Sequence, residues 1–182
     1  MQFIPLCMAP TSIRPIELAD APGVAGIYNH YIRNTATTFE EKVVSNREME
    51  RRIADQPESL PWLVVVEEGQ VVGYALASNW KSRCAYANSV ESSIYLHPQH
   101  TGKGWGGLLY PALLNQLFTL GYHTIIGGIA LPNPASIRLH EKLGFEKVGQ
   151  FREVGNKFNS WIDVGYWQLL VPTNEGVSDS FS

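Results

Sequence analysis

Cysteine, net charge and long apolar runs are all scarce in this 182-residue chain. The two cysteines, Cys7 and Cys84, make no metal-binding or redox spacing, so a zinc knuckle, a disulfide scaffold and CxxC chemistry fall away. A reduced, cytoplasmic chain with no bound metal is the simplest expectation. A formal net charge of −3 gives no basis for a nucleic-acid or anionic-membrane partner. No apolar stretch approaches the roughly 20 residues of a membrane span. The opening MQFIPLCMAP has no basic n-region and is broken by proline, unlike a signal peptide. What is present is an ordinary globular balance, 45% apolar and 17% charged, in a length suited to one domain.

The pattern predicts one α/β domain over residues 12–171, with 1–11 and 172–182 as flexible ends. SIRPIEL (12–18) reads as a strand. Asp20 is placed to cap a helix with Pro22 in its first turn, and Val24, Ile27, Tyr28 and Tyr31 form its apolar stripe. Ser45 and Glu48 have capping-box spacing ahead of a charged helix to about Ala54. Two β-branched runs around EEGQ form a hairpin, and 88–96 is a further strand. A glycine-rich loop opens a helix stopped at Gly121; Pro111 should kink that helix or delay its start. TIIGGIA, the helix PASIRLHEKL ended by Gly144, and two closing strands complete a β-α-α-β-β-β-α-β-α-β-β order. That order implies a mixed sheet with helices on its faces.

The most localised scarcity is acidic. From Ser92 to His140 there is no Asp or Glu, although the window holds Lys103, Arg138 and four of the five histidines. It also holds HPQHTGKGWGG, with four glycines between Gly102 and Gly107. Three readings compete for this loop. Gly102, Gly104 and Gly107 satisfy G-x-G-x-x-G, but a dinucleotide site needs an acid about 20 residues on, which is absent. The glycines could serve only a tight strand-to-helix turn, though four in six exceed that need. Phosphate capture at a helix N-terminus accounts for both the glycines and the local lack of negative charge.

The spacing Gln99-x-x-Gly102-x-Gly104 is similar to the acyl-CoA loop of the Gcn5-related N-acetyltransferases. The chain resembles that family over about residues 12–171. NWKSRCAYANSVESSIYLHP, ALPNPASIRLHEKLGF, NKFNSWIDVGYWQ and IYNHYIRNTATTFEE resemble its phosphinothricin/methionine-sulfoximine branch. The resemblance implies an acetyltransferase fold whose central parallel strands, 88–96 and 124–130, splay apart to admit acetyl-CoA. It implies homodimers, and a small amine such as an amino acid or analogue as acceptor. Sibling enzymes with other amine acceptors, and a silent acyl-CoA-binding module, are the alternatives.

The resemblance also implies roles. Ile94, Tyr95 and Leu96 would line the thioester, and Gly102, Lys103, Gly104, Trp105, Gly106 and Gly107 would hold the pyrophosphate. Asn133 and Ser136 would contact the pantetheine arm, although Asn-Pro is also a common turn. Glu91 matches the proposed base, which an α-ammonium acceptor needs. On a period-2 strand it shares a face with Ser93 and Tyr95, opposite Ser92, Ile94 and Leu96. The Leu96 N–H is a candidate oxyanion donor. His140 stands where many relatives carry a tyrosine; it could protonate the leaving thiolate or be a packed core residue. Lys81, Ser82 and Arg83 precede the Glu91 strand. Arg83 offers a planar fork for a carboxylate or phosphinate, Ser92 and Ser93 adjoin the base, and Phe39 would close the acceptor pocket. Trp161, Tyr166 and Trp167 read as core or interface aromatics, and Asp163 has no assigned role.

Overall fold

The computed structural model describes residues 11–171. The segments 1–10 and 172–182, expected to be flexible ends, lie outside the described residues. The elements are β1 (Ser12–Pro15), α1 (Ala21–Asn34), α2 (Asn46–Ala54), β2 (Trp62–Glu67), β3 (Gln70–Asn79), β4 (Ser89–Leu96), α3 (Trp105–Thr119), β5 (Thr124–Ala130), α4 (Pro134–Lys142), β6 (Glu146–Lys157) and β7 (Ser160–Leu170). Their order is the one the sequence pattern predicts.

The strands form one mixed sheet in the order β1-β2-β3-β4-β5-β7-β6. Only β4 and β5 run parallel. Helices cover both faces, so the central strands alternate between two cores and read as continuous apolar runs. In β2, Trp62 and Val64 pack with Val24, Ile27, Met49 and Ile53 of α1 and α2. Leu63 and Val65 pack with Leu109, Leu113 and Leu117 of α3.

Local chemistry explains most boundaries. Glu68 and Gly69 take φ of 52° and 78°, closing the β2–β3 hairpin with two positive-φ residues. Helix α3 ends with Gly121 N–H on the Phe118 carbonyl (3.1 Å) and Tyr122 N–H on Leu117 (3.1 Å). Helix α4 ends the same way at Gly144 and Phe145, both 3.1 Å, so each glycine completes a Schellman cap.

Three expectations change. Asp20 does not cap α1. Its carboxylate accepts both Arg14 guanidinium arms (2.7 and 2.8 Å) and the Glu17 N–H (2.8 Å), a half-buried pair that outcompetes the helix N-terminus. Ser45 does cap α2, accepting from Glu48 N–H (3.1 Å), but Glu48 turns away to Arg51 and Arg52. Helix α3 starts at Trp105, so Pro111 lies inside it and does not delay its start.

Candidate active site

The parallel pairing of β4 with β5 has three rungs: Ser89–Thr124, Val90–Ile125 and Glu91–Ile126. Beyond them β4 stays paired to β3 as far as Leu96, while β5 stays paired on its other edge to β7 along its whole length. The strands therefore part after Glu91. His97 donates to the Val72 carbonyl on β3 (2.8 Å), so by alternation the Ile94 and Leu96 backbone groups face the parted side.

A cleft of about 630 Å³ fills this gap. Of the sequence candidates, Ile94, Leu96, Gly102, Gly104, Gly106, Asn133 and Ser136 line it. Gly102 and Gly104 hold φ of 75° and 89°, conformations that cost a side chain about 1–2 kcal/mol. An added Cβ at either would meet nothing within 4 Å, so they serve backbone shape and leave the approach open. Gly104 is the N-cap of α3, and the first-turn N–H groups behind it suit an anion. Gly107 is different: its N–H is engaged by the Gly104 carbonyl (3.0 Å). Lys103 is exposed, with Nζ 3.5 Å from His100 Nδ1. Trp105 packs inward against the core, and its buried Nε1 has no partner among the described residues.

Asn133 both lines the cleft and caps α4, its Oδ1 accepting the Ser136 N–H (3.1 Å). Tyr31, not singled out in the sequence except as part of a stripe, also lines the cleft and donates its hydroxyl to the Leu96 carbonyl (2.7 Å). That bond ties α1 to the mouth of the parted strands. Tyr95 sits elsewhere. Its ring lies on the opposite face, stacked on Tyr74 with edges of Tyr28 and Tyr31 against it. Ser93 joins it in lining a second cavity of about 420 Å³ with Tyr28, Glu40 and Arg52.

Glu91 lies on that same face, over β5. A Cβ on Gly128 would stand 3.0 Å from Glu91 Oε1 and 3.5 Å from the Tyr166 ring, so the glycine makes room for both. Burial pushes the Glu91 carboxyl above its ordinary value, and Lys81 pulls it partly back. Lys81 Nζ rides 4.8 Å over the Trp80 ring, and Trp80 meets Tyr166 edge-on at 5.7 Å. Tyr166, expected to be a core or interface aromatic, is thus a neighbour of the carboxylate. Its hydroxyl is also raised, by burial and then by Glu91. Ser82 and Arg83 are exposed in the same loop. Phe39, from the α1–α2 connection, packs on Gly155 of β6. Beside it the buried Lys157 donates to the Thr38 carbonyl (2.6 Å), tying that connection to the β6–β7 hairpin. Asp163 acquires a structural place, accepting from Glu153 N–H and Gln150 Nε2, both 2.8 Å, across an irregular stretch of β6.

His140 is buried on the α3/α4 face and does not line the cleft. Both ring nitrogens have partners: Nδ1 the Ser136 carbonyl (2.8 Å), Nε2 the Tyr110 hydroxyl (3.0 Å). Burial lowers its pKa, which favours the neutral ring. Of the two roles open in the sequence, this is the geometry of the packed core residue. Ser92 is likewise buried and bonds Tyr110 (2.7 Å), away from Glu91.

Residues 13–165 match the acetyltransferase (GNAT) domain family. A phosphinothricin N-acetyltransferase of Streptomyces viridochromogenes is 39% identical over 159 residues, 87% of either chain. An L-methionine sulfoximine/L-methionine sulfone acetyltransferase of Salmonella typhimurium is 38% identical, covering 87% of this chain and 93% of its own. A GNAT superfamily phosphinothricin acetyltransferase of Sinorhizobium meliloti, solved in complex with AcCoA, superposes with a TM-score of 0.84 at 35% identity. It covers 92% of this chain and 95% of its own.

Proposed function

The chain belongs to the GNAT acetyltransferase family, and from that premise we propose that it moves acetyl from acetyl-CoA to the α-amine of a small amino acid or amino-acid analogue. The 630 Å³ cleft, opened where β4 and β5 part, carries this reading. Gly102, Gly104 and the first turn of α3 suit the pyrophosphate, and the freed Ile94 backbone groups suit the pantetheine arm, the Leu96 carbonyl being held by Tyr31. Acetyl-CoA supplies the activated acyl group.

This chain's own residues then have three tasks. Glu91 accepts a proton from the acceptor ammonium, directly or through water, and so frees the amine that attacks the thioester carbonyl, from which CoA departs as thiolate; its raised pKa keeps it basic enough for that task. The Leu96 N–H, open to the cleft, stands as donor to a developing oxyanion. Lys81, with the exposed fork of Arg83 in the same loop, is the cationic edge that favours an acceptor bearing a carboxylate or phosphinate. His140 takes no acid role in this scheme, because its nitrogens are engaged away from the cleft. A homodimer, implied by the resemblance, would dock through Val148, Val154 and Trp161, exposed on the β6–β7 edge.

The test is Glu91→Gln against a panel of amines. Thiol release should fall about 10²–10⁴-fold, the range for loss of a general base, with CoA affinity unchanged. Amino acids and their phosphinate or sulfoximine analogues should outrun amines lacking the second polar group. A Glu91→Gln enzyme of near-native rate at all pH values overturns the base assignment, and a preference for polyamines overturns the acceptor class.

A further inference from the structure

On the face opposite Glu91, four elements are joined by one chain of buried polar groups. Ser92 (β4), Tyr110 (α3) and His140 (α4) are 3%, 0% and 4% exposed. Ser92 Oγ is 2.7 Å from the Tyr110 hydroxyl and 3.3 Å from the Ile126 carbonyl of β5. The Tyr110 hydroxyl is 3.0 Å from His140 Nε2, and His140 Nδ1 is 2.8 Å from the Ser136 carbonyl.

The protons of this chain can be placed. A carbonyl only accepts, so His140 carries its proton on Nδ1 and Nε2 has the lone pair. Tyr110 therefore donates to Nε2 and accepts from Ser92, whose single proton is shared between the Tyr110 oxygen at 2.7 Å and, more weakly, the Ile126 carbonyl at 3.3 Å. The backbone has been shaped for it: a Cβ on Gly127 would stand 2.5 Å from His140 Nε2. Such a chain is costly to bury unless every member is satisfied, and here each is.

Its location is informative. Ile126 is the last β5 residue paired with β4, through Glu91, and Ser92 is the first β4 residue past that pairing. The Ser92 hydroxyl meets the Ile126 carbonyl where the ladder ends. Resting on the reading of Glu91 as the base, we propose that Ser92, Tyr110 and His140 are positioning residues that fix where β4 and β5 part, and thereby set the backbone of Glu91, the last β4 residue of that pairing. They act through the backbone, since their side chains lie on the other face of β4 from Glu91. Tyr110 ties the strands to the helix whose first turn faces the anion, and His140 ties them to the helix capped by Asn133.

The test compares wild type with Tyr110→Phe, Ser92→Ala and the double variant, each checked as folded by thermal melting. Hydrogen exchange on the free protein reads the strand ends directly. Amides of residues 89–92 and 124–128 should exchange about tenfold faster in each variant, with the β2–β3 hairpin unchanged. Steady-state kinetics reads the consequence. The kcat should fall roughly tenfold or more, since misplacement by about 1 Å costs up to about 10²-fold. The amine KM should move little, and the double variant should match the worse single one, because the residues act as one unit. A folded Tyr110→Phe with native exchange and native kcat overturns the proposal, as does an additive double variant. If Ser92→Ala fails to fold, Tyr110→Phe, which removes one oxygen, decides alone. The base assignment fails separately: an active Glu91→Gln beside faster exchange in Tyr110→Phe leaves the positioning of the strands standing and removes only Glu91 from the proposal.

Discussion

Glu91 and Lys81 set each other's chemistry at the smallest scale. Burial raises the Glu91 carboxyl, so as a base it works only above that raised value, and Lys81 opposes the rise. Replacing Lys81 by Met removes the opposing charge. The acid limb of kcat/KM should then move to higher pH, while the rate well above it is retained for acceptors that do not need the cation. An acid limb that stays in place, or moves down, would show that Lys81 does not act on Glu91 in the working enzyme. Glycine is the other half of the residue-scale argument. Gly127 and Gly128 sit side by side on β5, and each leaves room on one face, the first for His140 and the second for Glu91. The pair was visible as GG inside a strand run, a pattern that marks close approach, but nothing in the sequence says what approaches.

Among the elements, the loop into α3 separates conformational need from space. Gly104→Ala must hold φ near 89°, costing roughly 1–2 kcal/mol of stability, and should weaken CoA binding as the first turn shifts. Gly107→Ala lies inside α3 in open space with its N–H already engaged. It should gain roughly 0.5–1 kcal/mol and leave CoA affinity unchanged. Calorimetric titration with thermal melts of both variants checks the contrast; equal loss of CoA affinity would mean that the whole glycine run touches the ligand. The elements themselves were legible, because apolar periods, Gly121, Gly144 and EEGQ are local signals. So was the loop, whose glycines and missing acids mark it without any fold. What was not legible was direction. Tyr31 reads as one member of an apolar stripe, and only the packing of α1 on the sheet turns its hydroxyl to Leu96. Tyr110 and Ser92 are far apart in sequence and adjacent in space, and Tyr95 faces away from the cleft by the strand alternation that turns Ile94 and Leu96 toward it. Asp20 misled for a similar reason: a local cap signal lost to Arg14, a partner from the preceding strand.

At the scale of the whole molecule, the sheet ends in β6, an edge strand with Val148, Phe151 and Val154 more than half exposed, beside Trp161 at 64% on β7. An edge of this kind is a template for pairing. Sedimentation equilibrium should give twice the 20.3 kDa chain mass for the native protein and the single mass for Trp161→Glu. A native protein at 20.3 kDa across the micromolar range would remove the homodimer. The three-rung seam between β4 and β5 has a consequence of another kind. Strands β1 to β4 precede it in the chain and β5 to β7 follow it, so the polypeptide crosses the seam once, after α3. Helix α3 packs on β2, β3 and β4, and α4 packs on β5, so each side carries its own sheet and its own helical cover. A break in the connection at Leu120–His123 would leave two pieces that meet along three rungs, a helix layer and the contact of Thr38 and Phe39 with the β6–β7 hairpin. The cleft draws its walls from both pieces, Ile94 to Gly106 from one and Ala130 to Ser136 from the other. Acetyl-CoA would then act as a clasp, and reassembly of the severed halves would report on cosubstrate concentration without any chemistry taking place.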